Sequence, residues 1–229
     1  MKDIVTIGLP SKGRLKESVL NLLTKNNLKL TSKGGDRDYF ANLDNLPNAK
    51  IIYLHAREII ERLGDGTLDV GISGLDLLNE SVINLQKKIE ITRKLKFGQA
   101  NLVVAVPNDW IDVQTIADLE EVSFYFRDKK NSRLRVATKY PNLTNKFLTT
   151  KGVTQYKIVS SLGATETYPF IGSSEIITDI TSTGSTLKAN NLRILKDGII
   201  LNSCACVLAS KKSLINFNKR KIIKLFLKN

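Results

Sequence analysis

Short apolar runs alternate along this chain with amphipathic stretches of helical period, and the alternation itself predicts the fold class. Ile4–Leu9 has the length and content of a buried strand; Arg14–Lys25 follows with Leu15, Val19, Leu22 and Leu23 on one helical face. Strands are expected at Leu28–Thr31, Tyr39–Ala41 and Ile51–Leu54, then a helix over Arg57–Leu63 ending at Gly64. Leu68–Ile72 reads as another strand, with a helix opening near Gly74. A second region starts near Ile91, with strands at Asn101–Val106 (stopped by Pro107), Arg135–Thr138, Tyr156–Val159 and Glu175–Asp179, and a helix from Asn142 to Thr150. Leu192–Leu195, Ile199–Leu201 and Cys204–Ala209 complete the strands, and Lys211–Leu227 is expected to be one helix.

Repeated strand–helix–strand units predict an α/β fold with mainly parallel sheets covered by helices. No proline- or glycine-rich linker, internal repeat or low-complexity stretch interrupts the pattern. Two lobes joined by crossing strands fit this best. The expected first lobe is residues 1–95 plus about 185–229, and the second is 96–184.

Composition narrows the function classes. At 42% hydrophobic over 229 residues the chain can build a substantial core, and no apolar run is long enough to span a bilayer. The N-terminus enters a strand pattern with no apolar leader, so a cytoplasmic location is expected and no membrane role. The net charge of +13 suits nucleic acid, a membrane surface or anionic small substrates. The lysines are scattered rather than striped, and no aromatic-interleaved basic motif appears, so polyphosphate substrates are favoured and nucleic acid is not expected. Cys204 and Cys206 are two residues apart, a poor disulfide pair on a strand, and are expected to be buried thiols. With one histidine, His55, there is neither a zinc set nor a Ser–His–Asp arrangement to assemble, and no acid–base residue is assigned.

Four segments offer chemistry. Asp179 ends a strand and precedes Thr181, Ser182, Thr183, Gly184, Ser185 and Thr186. An acid suits vicinal sugar hydroxyls; small hydroxyl residues around a glycine suit a phosphate. The same residues also suit an ordinary capped strand–turn–helix, and local chemistry leaves both open. Ser11-Lys12-Gly13-Arg14 sits at the first strand-to-helix turn without Walker-loop spacing, so it is either a cationic phosphate turn or a solvated cap. Asp69, Gly74 and Asp76 flank a buried strand, as ligand-orienting groups or as caps; Arg37 and Arg57 lie nearby as anion-binding candidates or as members of surface ion pairs. Arg135-Val136-Ala137-Thr138-Lys139-Tyr140-Pro141-Asn142 joins a strand end to a helix start.

In order, Leu9–Leu15, Arg57–Glu80 with Asp-Val-Gly-Ile-Ser-Gly-Leu-Asp, Phe97-Gly98, Leu102–Pro107, Arg135–Thr144 and Asp179–Leu192 resemble the ATP phosphoribosyltransferase family over nearly the whole chain. The resemblance implies a two-lobed fold like the type II periplasmic binding proteins. It also implies transfer of 5-phosphoribosyl from phosphoribosyl pyrophosphate (PRPP) to N1 of ATP, with Mg²⁺ carried on substrate phosphates. Asp179 would then take the ribose hydroxyls and Thr183 to Thr186 the 5-phosphate, with Thr181 and Ser182 also in the PRPP-binding set. Lys12, Gly13, Arg14, Arg37, Arg57, Asp69 and Gly74 would face ATP and pyrophosphate. The family's short form pairs with a regulatory subunit resembling histidyl-tRNA synthetase, so homo- and hetero-oligomers are expected. A non-catalytic small-anion-binding protein on the same fold is the alternative. Two departures stand out: Asn101 where relatives often carry a basic residue, and a long segment, Glu121–Arg133, expected as a hairpin or lobe surface.

Overall fold

Val5, Ile7 and Leu9 are fully buried on β1 (Val5–Pro10), which makes it the middle of a sheet rather than an edge. The computed structural model describes residues 4–31 and 39–228, with side chains to residue 224; Arg37 lies outside the described residues. The chain divides into unit 1, Met1–Gly98 with Cys204–Asn229, and unit 2, Gln99–Ser203.

In unit 1, β1 leads into α1 (Gly13–Lys25), β2 (Leu30–Thr31), β3 (Phe40–Leu43), β4 (Leu46–Leu54) and α2 (Ala56–Asp65). Then come β5 (Val70–Gly74), α3 (Leu75–Glu80), α4 (Ile83–Gln86) and β6 (Ile89–Lys94). Unit 2 contains β7 (Ala100–Pro107), α5 (Ile116–Lys130), β8 (Leu134–Thr138), α6 (Pro141–Thr150) and β9 (Tyr156–Ser160). A 3-10 turn (Thr165–Thr167), β10 (Ile176–Thr181), α7 (Ser185–Ala189) and β11 (Leu192–Ser203) complete it. The chain then returns to unit 1 as β12 (Ala205–Ser210), α8 (Lys211–Ile215) and α9 (Phe217–Lys228).

The unit 1 sheet runs β2-β3-β4-β1-β5-β12-β6 and the unit 2 sheet β11-β7-β10-β8-β9. Parallel pairing is confined to β4–β1–β5 and to β10–β8–β9. All other neighbours are antiparallel, so the sheets are mixed rather than mainly parallel. The α/β class holds. The parallel character fails because β7, β11 and β12, beside the two chain crossings, run against their partners and because β2, β3 and β4 form an antiparallel meander. Residues 185–203, expected in the first lobe, belong to unit 2, because β11 pairs along its length with β7.

Each unit has its own core. In unit 1, Ile7, Leu9, Ile51, Val70 and Ile72 pack under Val19 and Leu23 of α1 and Ile223 of α9. Ile59 of α2 presses on the sheet so closely that a Cβ at Gly71 would meet its Cγ2 at 2.4 Å. Across the other face, Ile59, Ile60 and Leu63 pack with Leu68, Leu78 and Leu208. In unit 2, Val104, Val106, Val136 and Ile176 pack against Ile116, Leu119 and Phe126 of α5 and Leu148 of α6.

Three local outcomes depart from the sequence pattern. Most of the Glu121–Arg133 segment is the second half of α5, not a hairpin. Thr115 accepts the Asp118 amide and Asp118 accepts the Thr115 amide, a capping box that starts the helix. The expected C-terminal helix is two, α8 and α9, broken at extended Asn216, whose Oδ1 accepts the Lys219 amide at 3.0 Å. Cys206 is buried in β12 and Cys204 half-buried just before it, both free, with Sγ atoms 3.9 Å apart. Burial, with Cys204 adjacent, pushes the Cys206 thiol up to about 12, so it is inert as a nucleophile at neutral pH.

Candidate active site

Unit 2 builds its site on β10. This strand lies between β7, antiparallel, and β8, parallel, with Thr178 opposite Thr138 and Thr181 opposite Asn101. Thr178 is fully buried, and its hydroxyl joins those of Thr138 and Thr144 at 2.6 Å each. Thr138 Oγ1 also accepts the Tyr140 amide at 2.9 Å. This hydroxyl triad ties the end of β8 and the middle of β10 to the first turn of α6. A polar cluster inside an apolar core persists only when its members satisfy one another, and that requirement fixes their relative positions.

Strand alternation turns the next residue, Asp179, to the opposite face. Its Oδ1 accepts the Ile180 amide at 2.8 Å. Burial is the largest influence on this carboxyl and holds its pKa above the ordinary value; the Ile180 amide and the Lys139 charge pull the other way, and Glu166 adds to the rise. Register explains Lys139: it follows Thr138, the partner of Thr178, and so stands beside Asp179. Glu166 arrives on the 3-10 turn. Sequence reading missed both residues as neighbours of Asp179, because only strand pairing brings 139, 166 and 179 together.

Beyond Asp179 the chain turns sharply. Gly184 has φ +74°, in the left-handed region that favours glycine, and its amide donates to Thr181 Oγ1 at 2.8 Å. Thr183 and Ser185 share a hydroxyl hydrogen bond of 2.9 Å, and α7 begins at Ser185. Ser182, Thr183, Ser185 and Thr186 are exposed. One half-buried carboxylate is thus followed by a tight loop of outward hydroxyls, a pattern able to hold a polyol and an adjoining anion.

Unit 1 gathers a second set at one edge. Because β1, β4 and β5 are parallel, their carboxyl ends lie together. That edge receives Lys12, Gly13 and Arg14 after β1, His55 and Arg57 after β4, and Gly74 at the end of β5. Backbone bonds fix the turns: Ser11 donates to the Leu54 carbonyl at 2.9 Å, and Ser73 Oγ to the Ala56 carbonyl at 2.8 Å. Gly13, at φ +76°, opens α1, and Lys12 and Arg14 are exposed beside it. His55 Nδ1 accepts the Arg57 amide at 3.4 Å, so the lone histidine caps α2. Lys16, 5.2 Å over the Tyr53 ring, adds a cation that sequence reading missed; its helical offset from Lys12 was the available signal.

Asp69 lies at the other end of β5, away from Gly74. It is 2% exposed and its oxygens accept from Thr6 N at 2.8 Å, Thr6 Oγ1 at 3.0 Å, Ser213 Oγ at 2.5 Å and Lys219 Nζ at 2.8 Å. Burial works to raise its pKa, but bonds from Lys219, Ser213 and Thr6, with the Lys219 charge, outweigh burial and hold the carboxyl below its ordinary value. The geometry makes Asp69 a staple between β1, β5 and the C-terminal helices, with no oxygen turned to a ligand.

Comparison with known proteins gives this geometry a context. The family model HisG, ATP phosphoribosyltransferase, matches residues 55–228. An ATP phosphoribosyltransferase of Mesorhizobium japonicum is 47% identical over 211 residues, covering 92% of this chain and 91% of the relative. Among solved structures, an ATP phosphoribosyl transferase (HisG:HisZ) complex from Thermotoga maritima superposes at a TM-score of 0.75 with 25% identity, over 98% of this chain and 95% of that one. The alkanesulfonate-binding protein SsuA from Xanthomonas axonopodis pv. citri shares the fold at a TM-score of 0.54 and 17% identity, over 99% of this chain and 71% of its own, which establishes the periplasmic-binding-protein type II likeness and no more. On the family match and the identity to its curated relatives, the chain belongs to the ATP phosphoribosyltransferase family, the phosphoribosyl glycosyltransferases that take the first step of histidine biosynthesis.

Proposed function

We propose that the family reaction, transfer of 5-phosphoribosyl from PRPP to N1 of ATP with release of pyrophosphate, uses the Asp179–Thr186 loop to hold PRPP and the cationic edge of unit 1 to hold ATP and pyrophosphate. The observation that carries the assignment is the half-buried Asp179 carboxylate followed by a glycine-centred loop of exposed hydroxyls. The carboxylate accepts hydrogen bonds from the ribose 2- and 3-hydroxyls; Thr181 shapes the loop through Gly184, and Ser182, Thr183, Ser185 and Thr186 donate to the 5-phosphate. Lys12 and Arg14 on the flexible-φ turn at Gly13, with Arg57, neutralise polyphosphate. Arg37 belongs to the same proposed set by sequence.

Pyrophosphate departure leaves oxocarbenium character at the ribose anomeric carbon, and adenine N1 is already nucleophilic. Positioning and charge neutralisation therefore supply most of the acceleration, and no enzymic base is needed. Among the described residues no three His, Cys, Asp or Glu side chains cluster as a metal cage. Asp179 with nearby Glu166 offers the one or two carboxylates that suit Mg²⁺ held mainly by substrate phosphates and water. When bound, that ion would neutralise the leaving pyrophosphate. The cytoplasm is the proposed location of this reaction; separately, among the described residues no helix is long and apolar enough to cross a membrane. The Thermotoga complex contains HisG and HisZ, and this supports assembly of the present chain, itself oligomeric, with a HisZ-like regulatory subunit resembling histidyl-tRNA synthetase.

Pyrophosphate release from ATP, PRPP and Mg²⁺, measured with and without that subunit, tests the activity. The loop assignment is tested by Asp179→Ala in calorimetric titrations. PRPP affinity is expected to fall at least tenfold, the worth of a charged hydrogen bond, with ATP affinity within about twofold. Equal losses for both ligands would remove Asp179 from the ribose.

A further inference from the structure

The net charge of +13 is not shared evenly along the chain. Residues 99–203 hold twelve Lys and Arg against ten Asp and Glu, which is close to balance. Residues 204–229 hold seven Lys and Arg and no acid. None of these seven belongs to the set proposed for phosphoribosyl transfer. Packing decides which of them face outward. In α8, Ser213 is buried with its hydroxyl on Asp69 and Leu214 packs on the core, which turns Lys211, Lys212 and Ile215 to solvent. In α9, Ile223 is buried, Ile222 packs against the same core and Lys219 pairs with Asp69. Phe217, Arg220, Lys221 and Lys224, at offsets of three, four and seven, form one stripe on the opposite face, and all four are exposed. The break at Asn216 sets Ile215, 86% exposed, beside Phe217, 80% exposed, at the corner between the two helices. Lys211, Lys212, Arg220, Lys221 and Lys224 make no ion pair with a described residue. The expectation of no membrane role followed from lysines that look scattered along the sequence; helical period gathers these into a stripe.

We propose that this corner docks on an anionic lipid surface, with Ile215 and Phe217 entering the layer between headgroups and acyl chains and the five cations lying against headgroup phosphates. Two large apolar side chains held out in water among unpaired cations call for an occupant that is apolar within and anionic at its face. Nucleic acid would meet the cations but offer Ile215 no apolar partner. A second copy of the chain would bring two acid-free faces together, and they would repel. Asp69 holds the corner in place, since its carboxylate takes Ser213 from α8, Lys219 from α9 and Thr6 from β1. The binding energy is therefore not spent on ordering a loose segment.

Co-sedimentation of the full-length protein with phosphatidylcholine vesicles, with and without phosphatidylglycerol, tests the proposal. Binding is expected to the phosphatidylglycerol vesicles alone. It should fall at least tenfold between about 0.1 M and about 1 M salt, as the screening length contracts from about 10 Å to about 3 Å. The combined variant Arg220→Gln, Lys221→Gln, Lys224→Gln should bind at least tenfold more weakly, since each cation near such a surface contributes about fivefold. Ile215→Ser with Phe217→Ser keeps every charge and should weaken binding about tenfold through lost insertion. Both variants alter exposed residues outside the proposed PRPP and ATP sites, so urea unfolding and pyrophosphate release should match the parent. No binding to phosphatidylglycerol vesicles overturns the proposal, as does equal binding to neutral ones or binding that both variants retain. Tighter binding to duplex DNA than to vesicles, unchanged by Ile215→Ser with Phe217→Ser, would overturn it in favour of a nucleic-acid surface. Loss of co-elution with a HisZ-like subunit in both variants, with no vesicle binding by the parent, would make the corner a protein-docking face instead.

Discussion

Asp69 directly precedes β5 and Asp179 lies within β10, and their surroundings give them opposite chemistry. Four donors converge on Asp69, and Lys219 is 2.8 Å away. Breaking a buried ion pair by removing one partner costs about 3–5 kcal/mol, so Asp69→Ala should lower unfolding free energy in urea by that order. Asp69→Asn keeps the shape but turns an amide against donors, and should also destabilise. The sign with pH follows from the lowered pKa. Stability from Asp69 is present above the unfolded carboxyl value of about 3.9 and is lost as pH falls through the lower folded value. The Asn variant should therefore lose less further stability on acidification than the parent; an identical acid limb would refute the linkage. Asp179 behaves in reverse, because burial raises its pKa. If the ionised carboxylate binds ribose, PRPP affinity should rise with pH through that raised value and then level off, while Asp179→Asn stays flat. In sequence the two were indistinguishable as acids beside apolar runs; the donors around Asp69 come from residues 63 to 150 positions away.

At the scale of elements, short apolar strands were legible because the runs are bounded by turns. What failed was α5 and β11. Val122, Phe124, Tyr125 and Phe126 crowd the second half of α5 with aromatic and β-branched residues, blurring the helical period and suggesting a strand. The signal that could have found it was Thr115-x-x-Asp118, and Thr115→Ala should cost about 1 kcal/mol in thermal or urea unfolding. The long β11 read as two strands because Lys196-Asp197-Gly198 interrupts it. There the register with β7 shifts, and Asp197 Oδ1 accepts the Ile116 amide at 2.8 Å, so the interruption serves α5. The hydroxyl triad was equally hidden, since Thr138, Thr144 and Thr178 are isolated polar residues until β8 pairs with β10. Thr178→Val fills the space but removes the partner that Thr138 and Thr144 share, leaving them only their longer 3.3 Å contact, at a cost of about 1–3 kcal/mol. Because the triad anchors the strand bearing Asp179, KM for PRPP should rise while KM for ATP holds. A stability loss with both constants unchanged would leave the triad a core feature alone.

For the whole molecule, the division at Gly98/Gln99 and Ser203/Cys204 sorts the proposed ligand groups. Asp179 to Thr186, their neighbours Lys139 and Glu166 and the threonine triad all lie in unit 2, whereas Lys12, Arg14 and Arg57 lie in unit 1. Unit 2 is continuous in sequence, has a five-stranded sheet and closes its own core, with Val104, Val136, Leu148 and Ile176 fully buried. A segment with its own core and no missing strand is the kind of chain that folds alone. Residues 99–203 expressed as a fragment should therefore unfold cooperatively. The fragment should bind PRPP more weakly than the intact chain, lacking the unit 1 cations proposed to hold pyrophosphate, and should show neither ATP binding nor turnover. PRPP protection of its loop amides from hydrogen exchange, abolished by Asp179→Ala, is the decisive measurement. A folded fragment whose loop is indifferent to PRPP would show that Asp179 to Thr186 do not form a self-sufficient ribose-phosphate site. The hydroxyls would then have to be reassigned to capping α7.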